Sequence, residues 1–164
     1  MKIIKIFFAL NALLAIWMLL DSHGYEKARV YDIENDFDQI EKARLDSLYK
    51  AHENKTSNEI VFASTAAFGT DSTINEFSLH FLRSHGIGKK DVNNGVLIVF
   101  SEHRRQVRIE TGYGTEKILK DEMCQKIIDS LMIPEFKKEK YFDGIWEGSV
   151  AIVDFLERPE NKIR

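Results

Sequence analysis

The chain has 164 residues, of which 44% are hydrophobic and 30% are charged, and its formal net charge is −3. This length allows one domain of ordinary size with a genuine core. Charges of both signs, with no Lys/Arg cluster among aromatic residues, argue against a nucleic-acid partner. The single cysteine, Cys124, excludes an intramolecular disulfide and a cysteine-rich metal site.

Residues 1–24 have the pattern of an export signal. Two lysines precede an apolar run over residues 6–20, which Asp21 closes. Such a start is typical of a cleaved signal peptide or an uncleaved membrane anchor, and both alternatives stay open; a buried amphipathic helix is the third. The folded part is therefore predicted to lie outside the cytoplasm, in the cell envelope, either periplasmic or anchored at the inner membrane.

The first half of the remaining chain alternates helical and strand patterns. Residues 25–32 are interpreted as a tether, and apolar spacing predicts a helix from Ile33 to about His52. A short apolar run predicts a buried strand near 59–65. A second apolar stripe, from Ile74 to Gly86, predicts another helix, so the strands on either side of it should be parallel.

The second half begins with a predicted hairpin. The apolar run over residues 95–101 predicts a strand covered on both faces, and alternation over 106–111 predicts a strand with one wet face. Further helices are expected over about 118–131, ending before Pro134, and over about 142–156. Because the hairpin reverses direction, the loops at 91–94 and 111–114 should be neighbours.

This order predicts a three-layer α/β/α sandwich with a small mixed sheet. The domain is expected to occupy residues 33–157, followed by a charged tail at 158–164.

Five motifs, in their order and spacing, resemble the TPM domain family. They are Gly86-Ile87-Gly88, Asn94-Gly95-Val96-Leu97, Val107-Arg108-Ile109-Glu110, Gly112-Tyr113-Gly114 and Ile133-Pro134-Glu135-Phe136. The resemblance covers roughly residues 32–156. The family is named after thylakoid lumen, photosystem repair and receptor-associated membrane proteins, and many bacterial members are exported or membrane-anchored. The resemblance implies the same sandwich and the binding of calcium or a related divalent ion, as some members do. Weak acid phosphatase activity has been attributed to a plant member.

The sequence departs from the family pattern at three positions. His85 stands where tryptophan is common, Asn93 stands where aspartate is frequent, and Lys120 replaces a usual hydroxyl residue before Asp121. Loss of a carboxylate at residue 93 weakens a hard-cation site, because calcium affinity rises with ligand charge.

The two neighbouring loops supply oxygen ligands for calcium or magnesium. The candidate ligands are Asp91, Asn93, Asn94, Glu110, Gly112 and Asp121. Each has a structural alternative. Asp121 can complement a helix dipole, Asn94 is typical of a turn, and Glu110 can be a solvated or cross-paired strand residue.

No familiar catalytic motif is present, and the five histidines lack the spacing of a zinc site. The favoured function is an exported or anchored domain that binds a divalent cation and supports a membrane protein or envelope assembly. The alternatives are a weak metal-assisted acid phosphatase and an interaction domain that binds no ion.

Overall fold

The computed structural model of the protein describes residues 27–163, so the predicted export signal lies outside the described residues. Among the helices of this part, none combines the length and the apolar character that a membrane crossing needs.

Four strands form one sheet in the order β1-β2-β3-β4. They are β1 (Val30–Asp32), β2 (Glu59–Ser64), β3 (Gly95–Ser101) and β4 (Gln106–Thr111). The first three are parallel, and β4 is antiparallel to β3. The three strands expected from the sequence are present, and the hairpin pairs Val96 with Thr111 and Ser101 with Gln106.

The edge strand β1 corrects the tether interpretation for residues 30–32. Val30 to Asp32 pair with Phe62 to Ser64 of β2. Three residues are too few to show an alternating pattern. The partners that make them a strand lie 32 positions away in the chain.

Helices cover both faces of the sheet. They are α1 (Gln39–Thr56), α2 (Ile74–Ser84), α3 (Tyr113–Glu116), α4 (Asp121–Ile127), α5 (Ile133–Phe136) and α6 (Tyr141–Leu156). A π-helical segment (Ile128–Met132) joins α4 to α5, and a 3-10 turn (Pro159–Asn161) follows α6.

A capping box sets the start of α1 at Gln39, six residues later than expected. The Asp38 carboxylate accepts hydrogen bonds from the backbone N–H of Ile40 (2.7 Å) and Glu41 (2.8 Å), and the Glu41 carboxylate accepts one from the Asp38 N–H (2.9 Å). These bonds satisfy N–H groups that a helix start otherwise leaves unpaired.

The core lies in two layers, one on each face of the sheet. The α2 side contains Val61, Ala63, Phe81, Leu82, Ile87, Leu97 and Val99. The larger opposite side packs α1, α6 and the helices from Asp121 to Phe136 onto β2, β3 and β4, with Tyr49, Phe62, Ile98 and Ile145 fully buried. The predicted three-layer sandwich is confirmed.

The helical path does not end before Pro134, contrary to expectation. The N–H of Ile133 donates to the carbonyl of Ile128, a π-type bond that spans five residues. Pro134 then follows in the first turn of α5, where a backbone N–H has no partner within the helix, so its absence costs no hydrogen bond. The helix therefore continues past the proline to Phe136.

Candidate functional site

The two loops that the hairpin was predicted to bring together are in contact. The Gly114 N–H donates to the Asn93 carbonyl (3.0 Å), and the Gly112 N–H donates to the Gly95 carbonyl (2.9 Å). A methyl group on Gly114 would collide with the Val92 carbonyl oxygen. The predicted meeting of residues 91–94 and 111–114 is therefore correct, and it depends on backbone approach that only glycine permits.

Within the first loop, the three candidate ligands have different environments. The Asn94 side chain is buried and makes three hydrogen bonds: its Nδ2 donates to Ser57 O (2.8 Å) and Asn58 Oδ1 (3.1 Å), and its Oδ1 accepts from Lys89 N (2.8 Å). Asn93 has a left-handed backbone with φ of 52°. Asp91 is exposed. Asn94 is thus committed to holding the loop.

The two candidate carboxylates outside the loop lie around one arginine. Arg108 Nε is 3.1 Å from Glu110 Oε2, and Arg108 Nη2 is 3.4 Å from Asp121 Oδ1. Ser78 Oγ donates a further hydrogen bond to Glu110 at 3.2 Å. The guanidinium supplies positive charge where the prediction places a cation, so Glu110 is a paired strand residue beneath α2.

Gly112 is the last of the six predicted ligands, and its carbonyl accepts a hydrogen bond from Glu116 N at 2.9 Å. No group of three His, Cys, Asp or Glu side chains between residues 27 and 163 is arranged to hold a metal ion. A cation-binding role for the six residues stays a prediction.

A second group of carboxylates lies at the opposite end of the sheet, where the parallel strands end. We call Asp32, Glu34 and Asp36 the acidic cluster. Asp32 ends β1 beside Ser64, the last residue of β2, and Ser64 Oγ donates to Asp32 Oδ1 at 2.8 Å. Sequence analysis did not identify this cluster as a candidate site.

Asp32 is the fixed member of the acidic cluster. Only 2% of its side chain is exposed, and it accepts hydrogen bonds from the N–H of Asp36 (2.9 Å) and Phe37 (3.2 Å) and from Lys42 Nζ (3.1 Å). Burial opposes ionisation, but the hydrogen bonds, that from Ser64 above all, hold the pKa of Asp32 below its ordinary value.

Glu34 and Asp36 are held less completely. Glu34 Oε2 and Asp36 Oδ2 are buried, and neither atom accepts a hydrogen bond from any residue between 27 and 163. Burial, followed by repulsion from neighbouring carboxylates, raises the pKa of both side chains. Glu102, just beyond β3, adds to this repulsion on both.

Two cavities lie close to the acidic cluster. One, of about 420 Å³, is lined by Glu102 and by aromatic residues of β3, α5 and α6. The other, of about 270 Å³, is lined by four carboxylates, Asp36, Glu41, Glu139 and Asp143, with Lys140 as its one cationic residue. Ligands of open α/β sheets bind beyond the carboxyl ends of the strands, which is where both cavities are found.

The signal that could have revealed the acidic cluster is the alternation of acids in Asp32-Ile33-Glu34-Asn35-Asp36. The alternation indicates a site only if Asp32 ends a strand of the sheet. When residues 25–32 are interpreted as a tether, nothing places these acids at the edge of the sheet.

Comparisons with known proteins agree with this fold. The family model of the TPM domain matches residues 30–155. The solution NMR structure of the N-terminal domain of a protein from P. gingivalis is similar, with a TM-score of 0.74 and 30% identity over 81% of this chain and 85% of that chain. No curated protein matches the chain.

Two further NMR structures are similar in fold. The N-terminal domain of the cg2496 protein from Corynebacterium glutamicum has a TM-score of 0.62 at 10% identity, over 80% of this chain and 81% of that chain. The BA42 protein from Bizionia argentinensis has a TM-score of 0.61 at 16% identity, over 80% and 91%. With the family model covering nearly the whole described part, the chain belongs to the TPM domain family.

Proposed function

We propose that this TPM domain binds a divalent cation, calcium or magnesium, at the acidic cluster and supports a membrane protein or assembly in the cell envelope. The observation that carries the proposal is the pair of buried oxygens, Glu34 Oε2 and Asp36 Oδ2, that no described residue hydrogen-bonds. Buried carboxylate oxygens without partners are costly, and a hard cation is the ligand that oxygen donors suit.

The residues of the acidic cluster fit such an ion in complementary ways. Four hydrogen-bond donors fix Asp32, which therefore sets the position of the turn that carries Glu34 and Asp36. Glu34 and Asp36 offer unpaired oxygens, and Glu102 adds negative charge from the β3 side. As they stand, the three carboxylates are not arranged as ligands of one ion. Binding therefore requires the Glu34 and Asp36 carboxylates to rotate onto the ion, which would neutralise charges that now repel one another.

This location replaces the loops at 91–94 and 111–114 as our preferred cation site. There, the buried Asn94 amide already makes three hydrogen bonds, and Arg108 forms ion pairs with both Glu110 and Asp121. An added cation beside Arg108 would meet repulsion from the guanidinium.

The envelope role rests on the predicted export signal and on the family. The acidic cluster begins five residues after Lys27, the first described residue, so an ion bound there would stiffen the part of the domain next to the signal segment. A domain fixed in this way could present a constant surface to a membrane protein.

The test is a titration of the chelator-treated full chain, in phosphatidylcholine nanodiscs, with calcium and with magnesium. Backbone amide chemical shifts are followed by NMR. We expect saturable shifts at residues 32–37, 64–65 and 101–103. The variant Asp36→Asn should lose them, because it removes charge from the cluster without changing side-chain size.

The matched control is Asp121→Asn, which removes a carboxylate from the predicted site at the other end of the sheet. It should leave the titration unchanged. Shifts confined to residues 91–94 and 110–121 would move the ion to the sequence-predicted site, and the absence of saturable shifts at both ends would refute cation binding.

A further inference from the structure

The cavity of about 420 Å³ has an aromatic floor that the cation proposal does not use. The rings of Phe100, Phe136 and Tyr141 are in mutual contact, with centroid separations of 5.1, 5.6 and 6.0 Å. Phe100 is 2% exposed, whereas the other two rings are partly open to the cavity. The volume lies within the range of about 300–1,000 Å³ that is typical of small-molecule sites.

The aromatic floor of the cavity packs against α6. Phe136 lies so close to Gly144 of α6 that a methyl group there would stand 2.5 Å from the ring carbon Cε1. The π-helical segment before α5 widens the helix directly upstream of this ring, and such segments are frequent at functional sites. The aromatic surface is therefore formed before any ligand arrives.

Four charged side chains line the rim of the cavity. Two turns form the opposite walls of the cavity, and each wall contributes one acid and one base. Glu102 and Arg105 belong to the turn between β3 and β4, and Lys137 and Glu139 belong to the turn between α5 and α6. Within residues 27–163, none of the four makes a side-chain hydrogen bond or an ion pair, although opposite charges border the same space.

Two of these rim residues have a backbone conformation that their side chains disfavour. Arg105 has φ of 52° and Glu139 has φ of 60°. The other non-glycine residues of positive φ in the described part are Asn35, Ser57 and Asn93. Asparagine and glycine suit this region better than long charged residues do. Both angles belong to hydrogen-bonded turns, closed by the bonds from the Arg105 N–H to the Glu102 carbonyl and from the Glu139 N–H to the Phe136 carbonyl. The turns therefore set the backbone conformation, and the charged side chains are not needed for it.

We propose that this cavity binds a small zwitterion with an apolar side chain, of the class of the large hydrophobic amino acids. The apolar group lies on Phe100, Phe136 and Tyr141. The carboxylate lies between Arg105 and Lys137, and the ammonium lies between Glu102 and Glu139.

The arrangement of charge selects a zwitterion over a simple anion or cation. An anion would pair with the two bases and lie beside two unpaired acids, and a cation would meet the reverse situation. A ligand that carries both charges can pair with the acids and with the bases at the same time. The binding needs no metal ion, although Glu102 borders both this cavity and the acidic cluster.

The test is NMR titration of the full chain in phosphatidylcholine nanodiscs, with chelator present, using L-phenylalanine as the probe. We expect saturable amide shifts confined to residues 100–107 and 133–141. N-acetyl-L-phenylalanine, which lacks the positive charge, and L-phenylalanine amide, which lacks the negative charge, should each bind at least ten-fold more weakly. Glycine, which lacks the ring, should produce no saturable shift.

The variants Arg105→Asn and Glu139→Asn separate binding from folding. Asparagine is favoured at positive φ, so each variant should keep or raise the thermal unfolding midpoint while lowering affinity for L-phenylalanine at least five-fold. Lys117→Gln, an exposed charge outside the cavity, is the control and should change neither quantity.

Three results would overturn the proposal. They are the absence of saturable binding of L-phenylalanine, equal affinity for the three phenylalanine probes, and unchanged affinity in both asparagine variants. If one variant proves unfolded, the other variant and the probe comparison still decide the matter.

Discussion

Tyr49 Oη of α1 lies 2.7 Å from Ser149 Oγ of α6, and both residues are completely buried. Ser149 Oγ also contacts the Ile145 carbonyl at 2.7 Å as a donor. A serine hydroxyl has one hydrogen, so Tyr49 donates to Ser149 and Ser149 donates to Ile145. This chain joins the two long helices across the core.

Because Tyr49 is the donor, removing the hydroxyl of Tyr49 and removing that of Ser149 should destabilise the protein by different amounts. Tyr49→Phe should lower the free energy of unfolding by about 1 kcal/mol, because Ser149 keeps its own acceptor. Ser149→Ala should cost about 2–3 kcal/mol, because the Tyr49 hydroxyl is left buried without a partner. Urea denaturation of both variants and of the double variant measures the difference. Equal costs would contradict the assigned direction.

His52 should make stability depend on pH near neutrality. It is 1% exposed, and burial lowers its pKa despite the hydrogen bond between its Nδ1 and Glu157. A histidine whose folded pKa is depressed gives stability that is complete above its ordinary pKa of 6.5 and is lost as pH falls below it.

Denaturation curves from about pH 7.5 to about pH 5.5 test this expectation. The unfolding free energy of the unmodified chain should decrease over that interval, and His52→Gln should flatten the decrease. His85→Gln is the control, because His85 is exposed. A variant at residue 52 with an undiminished slope would show that another group titrates.

Glu59, at the start of β2, should govern stability in acid. Burial would raise its pKa, but Lys27 Nζ (2.8 Å), Lys89 Nζ (2.9 Å) and the Gly88 N–H (2.9 Å) lower it to about 2. Stability from this carboxylate is therefore complete above its ordinary pKa of 4.5 and is lost as pH falls from there toward 2.

Glu59→Gln should cost roughly 2–3 kcal/mol at neutral pH and flatten the acid limb of the stability curve. Glu122→Gln, on the exposed face of α4, should stay within about 0.5 kcal/mol of the parent chain. Thermal unfolding followed at several pH values distinguishes the two. An acid limb unchanged by Glu59→Gln would remove the assignment.

The contact between the two loops of the hairpin can be tested through its glycines. Gly114→Ala should cost more than about 2 kcal/mol, because the new methyl group meets the Val92 backbone and cannot be moved by a side-chain rotation. Gly69→Ala, where φ is +61° and nothing lies within 4 Å, should cost only about 1 kcal/mol. Guanidinium denaturation compares the two, and a smaller cost at Gly114 would be inconsistent with the contact.

The sheet could be predicted well because its central strands are continuous apolar runs. All the residues of β2 and β3 are buried, and such runs bounded by turns have few alternatives. β1 could not be predicted, since its pairing with β2 depends on residues far away in the chain. The helix expected over about 118–131 was wrongly ended before Pro134, because a π-type bond at Ile133 lets the helical path continue and no local pattern signals that bond.

The candidate site was harder to predict than the fold. Loop proximity followed from the hairpin, but the partner of each polar group did not. Glu110 alternates with Val107 and Ile109 as a solvated residue would, yet Arg108 and Ser78 enclose its carboxylate. The order of residues shows which groups are available, whereas their partners are decided by side chains from other elements.

The pairing of β1 with β2 determines how far toward the N-terminus the domain must extend. β2 is buried along its whole length, and β1 pairs only with its last three residues, while the Arg29 carbonyl accepts a hydrogen bond from Phe62 N. A chain truncated at residue 33 would turn β2 into an open, apolar sheet edge. Such edges recruit strands from other molecules, so the six residues from Lys27 to Asp32 protect the domain from aggregation.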